Sequence, residues 1–579
     1  MTREPETTRP SRLARNLMLA WIAAASVLTL LALYGAGEIG GPVDYFMWVQ
    51  DFPVLLGVTA VLLVMTLAPA VERGRLAQRL LDRPFACAVV LAALLAAVAW
   101  WGRDGVFGGF AFSRDEDLAL FQARLIAKGR LLVEVPEAWR ASALALQPLF
   151  FIQLPGNPAW LSGYLPVNSA LHAAGLTLGA EPLVSPLLAA LAVVATYGVG
   201  RKLWPDQRGL ALLAAGLLAT SAQLVVTAMT AYAMTAHLAF NMAWLWLFLR
   251  GGRAGHLGAI AVGALAVGLH QLIFHPLFVA PFILQLWLDR RWRLAAGYTG
   301  AYAVICLGWI YYWTWAAQLA GAASQAAGDA GGARIGHQVA ALLLAANFEA
   351  VAVMAKHLVR FISWQNPLTA PLFLLGLVAS LRSGGHRRAL LLGLVITTLA
   401  MTILLPSQTH GWGYRYLHGF LGAAALLAAW TWADLRRRIP GRSEAILFTG
   451  FAAALLLAAL RTDQAKAYVQ PYRSAFETIR ATPADAVIVF GDQIASGIAL
   501  VRNDPWLRAR PLTLDRAALR ESRIAGLCAH HVIGVYQASD AARAGVVTLN
   551  EPVKVRQERE AHIMADLLAR GCRIAPIPR

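Results

Sequence analysis

The chain has 579 residues, 58% of them hydrophobic and 14% charged, with a formal net charge of +18. Average soluble chains are about 45–50% apolar and about 25% charged, so these opposite departures exclude an ordinary soluble enzyme, a disordered polymer and a coiled coil. A mean hydropathy of +0.56 agrees with an integral membrane protein. The four cysteines include no CxxC or Cys/His cluster and are too few for a disulfide framework.

Apolar stretches of about 17–20 residues match one hydrocarbon crossing, and about thirteen are present. They fall near Asn16–Gly35, Pro53–Val71, Phe85–Trp101, Leu183–Gly200, Gly209–Val226, Ala231–Phe248 and Leu257–His270. The others fall near Ile273–Leu288, Leu294–Trp313, Pro367–Leu381, Ala389–Leu405, Tyr416–Trp432 and Ala445–Leu460. With the N-terminus in the cytoplasm, the inside connections hold 23 Lys and Arg residues, from Arg3 to Arg442, and the short outside connections hold none. The positive-inside rule therefore predicts an N-in, C-out topology. The first stretch is long and lacks a small-x-small cleavage site, so it reads as a retained anchor. Abundant Ala, Leu and Arg suit a bacterial plasma membrane.

The fold class expected is an all-α polytopic membrane protein with a small C-terminal α/β domain. Residues 1–460 form the membrane domain, with external loops at 102–182 and 316–366, and residues 461–579 form an external soluble domain. Long loops in compact domains are usually functional. The first opens with Ser113-Arg114-Asp115-Glu116-Asp117, then Leu118, Phe121, Leu125 and Ile126 on one helical stripe. Such a helix would lie along the membrane surface. Gln338–Phe361, with Glu349, Lys356 and Arg360, reads as a second amphipathic stretch. In the tail, Ala486–Phe490 and His531–Tyr536 read as strands, Gln493–Val501 and Arg559–Arg570 as helices. Cys528 and Cys572 both fall there, where an oxidising compartment would permit a disulfide.

The triplet Asp115-Glu116-Asp117 is the best chemical candidate. A carboxylate can deprotonate a hydroxyl as general base or bind a hard divalent cation. The plainer reading is also concrete: Ser113 and Glu116 match a capping box, and acidic residues suit a first helical turn anyway. Glu116 is the natural member of the box, which leaves Asp115 as the stronger catalytic candidate.

The stretch Asp115–Leu131, DEDLALFQARLIAKGRL, resembles the acidic first external loop of GT-C glycosyltransferases, among them bacterial relatives of protein O-mannosyltransferases and lipid A aminoarabinose transferases. Tyr164-Leu165-Pro166, Ala231–Asn241 and Gly413–Leu417 (GYRYL) are similar to further segments of that superfamily. The resemblance implies a transmembrane bundle with interfacial helices in its first external loop, and a polyprenyl-phosphate-linked sugar as donor. It also implies an envelope glycan, lipid or protein as acceptor. Where many relatives carry a second external Asp, this chain has Ala236-His237, so His237 would stand in as ligand or proton acceptor. Asp115 and His237 would then be the ligands of any divalent metal cofactor.

On this resemblance Asp115, assisted by Glu116, would take the acceptor's proton. Arg415, with Lys356, Arg360, His237 and Tyr164, would bind the donor, and inversion would follow from one in-line displacement. Bland readings stand beside each. Arg415 would snorkel to headgroups, His237 would be a hydrogen-bonded helix residue, and Lys356 and Arg360 would share a solvated or headgroup-facing side. Rival functions are a transporter or flippase of lipid-linked sugars and a non-catalytic scaffold. Charges are nearly absent from mid-span positions, which favours chemistry at the surface. Basic residues cluster in short turns, as topology requires, so nucleic acid is not an expected partner.

Overall fold

The computed structural model describes residues 12–34, 41–66, 82–321, 348–438, 442–548 and 551–578. They form two compact units. One comprises Met1–Gly102, Pro182–Trp309 and Ile335–Gln464; the other comprises Arg103–Glu181, Ile310–Arg334 and Ala465–Arg579. The tail segment starts at Ala465 and is grouped with the first long connection, Arg103–Glu181.

The first unit is helical, and every expected apolar stretch contains helix. Among the described residues of the chain, six helices are long and apolar enough to cross a membrane: Pro42–Thr66, Pro84–Gly105, Glu181–Leu203, Trp292–Leu319, Gly385–Leu404 and Ser443–Ala481. Five others are shorter, such as Gly252–Val267 and Phe274–Leu288. The stretch expected at Gly209–Val226 is interrupted: one helix ends at Ala219, and Ser221 caps a second, Ala222–Thr227. The crossing expected from Tyr416 begins as a 3-10 turn, Arg415–Phe420, and becomes α-helical only at Leu421. The last apolar helix continues past Leu460 to Ala481.

Small residues let these helices approach closely, as lipid-embedded packing requires. A Cβ on Gly200 would fall 2.8 Å from the Ala211 backbone. Elsewhere the core is aromatic. Trp244 stacks on Phe248 at 5.0 Å, with Phe278, Phe282 and Tyr298 edge-on around it. The only way to bury polar groups here is to pair them. Asn241 does so by donating to the Gly419 carbonyl at 3.0 Å, while its Oδ1 lies 2.7 Å from His275 Nδ1.

The second unit has its own core. The helix Arg114–Ile126 turns Leu118, Phe121 and Leu125 inward, and these pack with Trp139 and Trp160 of the same connection and with Ile488, Leu514, Ile533 and Val535 of the tail. The connection contributes a small antiparallel sheet in which β3 (Ala159–Ser162) lies between β1 (Val133–Glu134) and β2 (Phe151–Ile152). The tail contributes a four-stranded parallel sheet, order β5-β4-β6-β7, made of Leu512–Asp515, Ala486–Val489, Val532–Tyr536 and Arg573–Ala575. The central strand reads AVIV and is buried throughout, as a parallel strand covered on both faces must be. Helices Glu521–His530 and Val553–Ala569 belong to the same segment. The helix expected at Gln493–Val501 is instead a pair of 3-10 turns, Gly491–Gln493 and Gly497–Leu500. Cys528 and Cys572 are disulfide-bonded.

Candidate functional site

In the second unit, the acidic triplet opens a helix. Ser113 Oγ accepts from the Glu116 amide and Glu116 Oε2 accepts from the Ser113 amide, both at 3.1 Å, which closes the expected capping box. Glu116 is 3% exposed and occupied with this structural task. Asp115 Oδ1 accepts a hydrogen bond from Tyr164 Oη at 2.5 Å, joining two residues 49 positions apart. Tyr164 is placed by the β3–helix junction, where Pro166 precedes the helix Val167–Thr177. Asp117 faces Arg502 at 3.8 Å. Burial pulls the Arg502 guanidinium below its ordinary value, and Asp117 and Glu116 push it back. Arg114 lies over the Phe150 ring at 4.3 Å. The result is a carboxylate held by a phenol, with both its flanking acidic neighbours already engaged.

In the first unit, a second group forms around the helix Phe348–Ser363. Residues 338–347 of the expected amphipathic stretch lie outside the described residues. Lys356 and Arg360 are 4% and 2% exposed, so the solvated-face reading of this pair is not met. Arg415 is 7% exposed and likewise does not reach out to headgroups as an exposed anchor. Arg360 donates to the Gly411 carbonyl, and a Cβ on Gly411 would fall 2.6 Å from Arg415 Cδ. The Arg415 guanidinium lies 5.0 Å from the Tyr232 ring. Gln408 braces the loop: its Nε2 donates to the Gly413 carbonyl at 2.9 Å and its Oε1 accepts from the Arg415 amide at 2.6 Å.

His357 sits among these cations. Its Nε2 accepts from the Gln408 amide at 2.9 Å, and its ring stacks on Tyr414 at 4.9 Å. Burial pushes this ring down to about 3, and the charges of Arg360, Arg415 and Lys356 push the same way. Three cationic side chains around a neutral imidazole make a site suited to an anion. Neither His357 nor Gln408 carried a sequence signal; both are ordinary residues until the loop folds against the helix.

His237 is 2% exposed, inside the helix Ala233–Arg250, with its ring 5.3 Å from that of Phe274. Its titratable neighbours are His270, His275 and His418. Asp115 and His237 belong to different units. Among the described residues, no group of three or more His, Cys, Asp or Glu is arranged to hold a metal ion.

Among the solved structures that resemble this chain are two of one protein. ArnT from Cupriavidus metallidurans in the apo state matches with a TM-score of 0.47 and 12% identity, over 76% of this chain and 91% of that one. ArnT from the same organism bound to undecaprenyl phosphate matches with a TM-score of 0.44 and 13% identity, over 79% of this chain and 87% of that one. No protein-family model and no curated protein matches the sequence.

Proposed function

We propose that this chain is a GT-C-type membrane glycosyltransferase. It transfers a sugar from a polyprenyl-phosphate carrier to an envelope glycan, lipid or protein acceptor on the outer face of a bacterial plasma membrane. The observation that carries the reading is the gathering of three buried cationic side chains, Lys356, Arg360 and Arg415, around His357. Arg and Lys side chains form the strong, charge-assisted hydrogen bonds that a phosphate accepts.

In this reading the acceptor hydroxyl attacks the anomeric carbon as the bond from that carbon to the phosphate oxygen breaks. In the second unit Asp115, oriented by Tyr164, is the candidate general base for a hydroxyl proton; in the first, the cations are the candidate ligands of a phosphate. One displacement inverts the anomeric centre.

The test is transfer from polyprenyl-phosphate-linked sugars by the full chain in nanodiscs. Wild type should release polyprenyl phosphate with an acceptor present, and Asp115→Asn should not while remaining folded. Equal activity in both would overturn the reading. A reporter fused beyond the tail sheet should register outside the cytoplasm.

A further inference from the structure

Arg502 lies in the tail, between the 3-10 turn Gly497–Leu500 and the strand Leu512–Asp515. Its own backbone is tied down first. The Arg502 amide donates to Thr513 Oγ1 at 2.7 Å, and that hydroxyl donates back to the Arg502 carbonyl at 3.0 Å. Beside it, Asn503 Oδ1 accepts from the Thr513 amide at 2.9 Å. The point from which the guanidinium departs is thus registered on β5, an edge strand of the tail sheet.

The side chain reaches back to the first long connection. Its Nη2 donates to the Ala111 carbonyl and, at 3.1 Å, to the Phe112 carbonyl, while Nε donates to the Ala499 carbonyl at 2.7 Å. The guanidinium carbon lies 4.2 Å from the centre of the Phe110 ring, and Nη1 faces Asp117 Oδ1 at 3.8 Å. Ala111 and Phe112 are the two residues that lead into Ser113, the cap of the helix Arg114–Ile126. Arg502 therefore holds both the chain entering this helix and a carboxylate of its first turn. A guanidinium can do both at once because its five N–H donors diverge in a rigid, planar fork.

An α-helix turns about 100° per residue, so Asp115 and Asp117 point to sides about 200° apart. Tyr164 grips the first and Arg502 the second. Contacts on opposite sides fix the rotation of the helix start about its own axis, which either one alone would leave free to rock. We propose that Arg502 is a positioning residue for Asp115: the tail sheet, through this one side chain, sets the angle at which the carboxylate meets an acceptor hydroxyl. The proposal rests on the reading of Asp115 as general base. It gives the tail a part in the reaction without placing any tail residue on the substrate.

Three variants of the full chain in nanodiscs test this. Arg502→Lys keeps a charge opposite Asp117 but loses the fork, and Arg502→Gln loses both. Arg523→Gln removes a different contact between tail and connection, in which the guanidinium lies 3.9 Å from the centre of the Trp139 ring. For transfer from a polyprenyl-phosphate-linked sugar, kcat should fall about 10- to 100-fold in Arg502→Gln, with the donor KM within a few-fold of wild type. Arg502→Lys should show a smaller fall of the same kind, and Arg523→Gln should keep the wild-type kcat. Hydrogen exchange at the Arg114–Asp117 amides should quicken in both Arg502 variants and not in Arg523→Gln. Should Arg502→Gln fail to fold, Arg502→Lys supplies both readings. Wild-type kcat or wild-type exchange in the folded Arg502 variants would overturn the proposal. So would a rise in KM at constant kcat, or an equal loss of kcat in Arg523→Gln. The expected exchange pattern in a protein that transfers no sugar would uphold the brace on the helix start and sink the glycosyltransferase reading alone.

Discussion

Tyr164 Oη donates to Asp115 Oδ1 at 2.5 Å, across 49 residues of chain. A hydrogen bond to a carboxylate is worth about 1.5–3 kcal/mol, enough to fix which way the acid points. Tyr164→Phe should therefore lower kcat for sugar transfer about 10- to 100-fold while KM for the donor stays within a few-fold. Steady-state kinetics of the variant check this; a change in KM alone would assign Tyr164 to binding instead.

Asp115 and Glu116 should separate cleanly on substitution. Asp115→Asn keeps the helix start and should abolish transfer at an unchanged unfolding temperature. Glu116→Ala removes half of the capping box closed with Ser113 and should cost about 0.5–2 kcal/mol of stability, with activity retained at low temperature. Parallel melting curves and activity assays decide both.

Gly411 has φ +141°, and a side chain there would collide with Arg415. Gly411→Ala should strain the backbone and displace the guanidinium, weakening polyprenyl phosphate binding about tenfold or more. Gly129→Ala is the control, since Gly129 has φ +70° but open space around its Cβ position. It should cost about 1–2 kcal/mol of stability and leave binding unchanged.

His357 has a pH signature. Its ring is held down to about 3 by burial, helped by Arg360, Arg415 and Lys356, against an ordinary value of 6.5. Between those values the unfolded chain carries the proton and the folded one does not, so stability falls as pH drops from 6.5 towards 3. His357→Gln keeps an acceptor for the Gln408 amide and removes the titration. Unfolding temperatures across pH 4–7, roughly that window, should fall less steeply in the variant than in wild type.

The Cys528–Cys572 bond closes 44 residues of the tail. By the chain-entropy account such a loop stabilises the second unit by about 4 kcal/mol. Reduction, or Cys528→Ser with Cys572→Ser, should increase hydrogen exchange in β6 and β7 in the full chain. The helices of the first unit should be unaffected.

What could be read ahead of the structure was local. The capping box, the apolar stripe of Leu118, Phe121 and Leu125, and the AVIV strand all lie within one or two turns of chain, where period and capping chemistry act. The helical character of the apolar stretches was legible for the same reason. The break after Ala219 was not, since a Ser in an apolar run is silent until its side chain caps a helix. Asp51 was invisible for a different reason: Arg461, 410 positions away, is what makes it a hub. Lys356 and Arg360 stand out by their i, i+4 spacing, but Asp44 and Asp51, which face them, lie far away in the chain. Amphipathic patterning shows which residues share a side, not what covers it.

The shared core of the second unit also constrains how the chain is made. Gln147 Nε2 donates to the Asn503 carbonyl, and Asn503 Nδ2 returns a bond to the Leu146 carbonyl, across 356 and 357 residues. At ribosomal rates of about 5–20 residues per second, Leu118, Phe121 and Leu125 wait roughly 20–70 s for their partners to be synthesised. Through that interval the apolar face of the nascent first connection lacks the tail residues that cover it in the folded unit, and it is exposed to aggregation until they arrive.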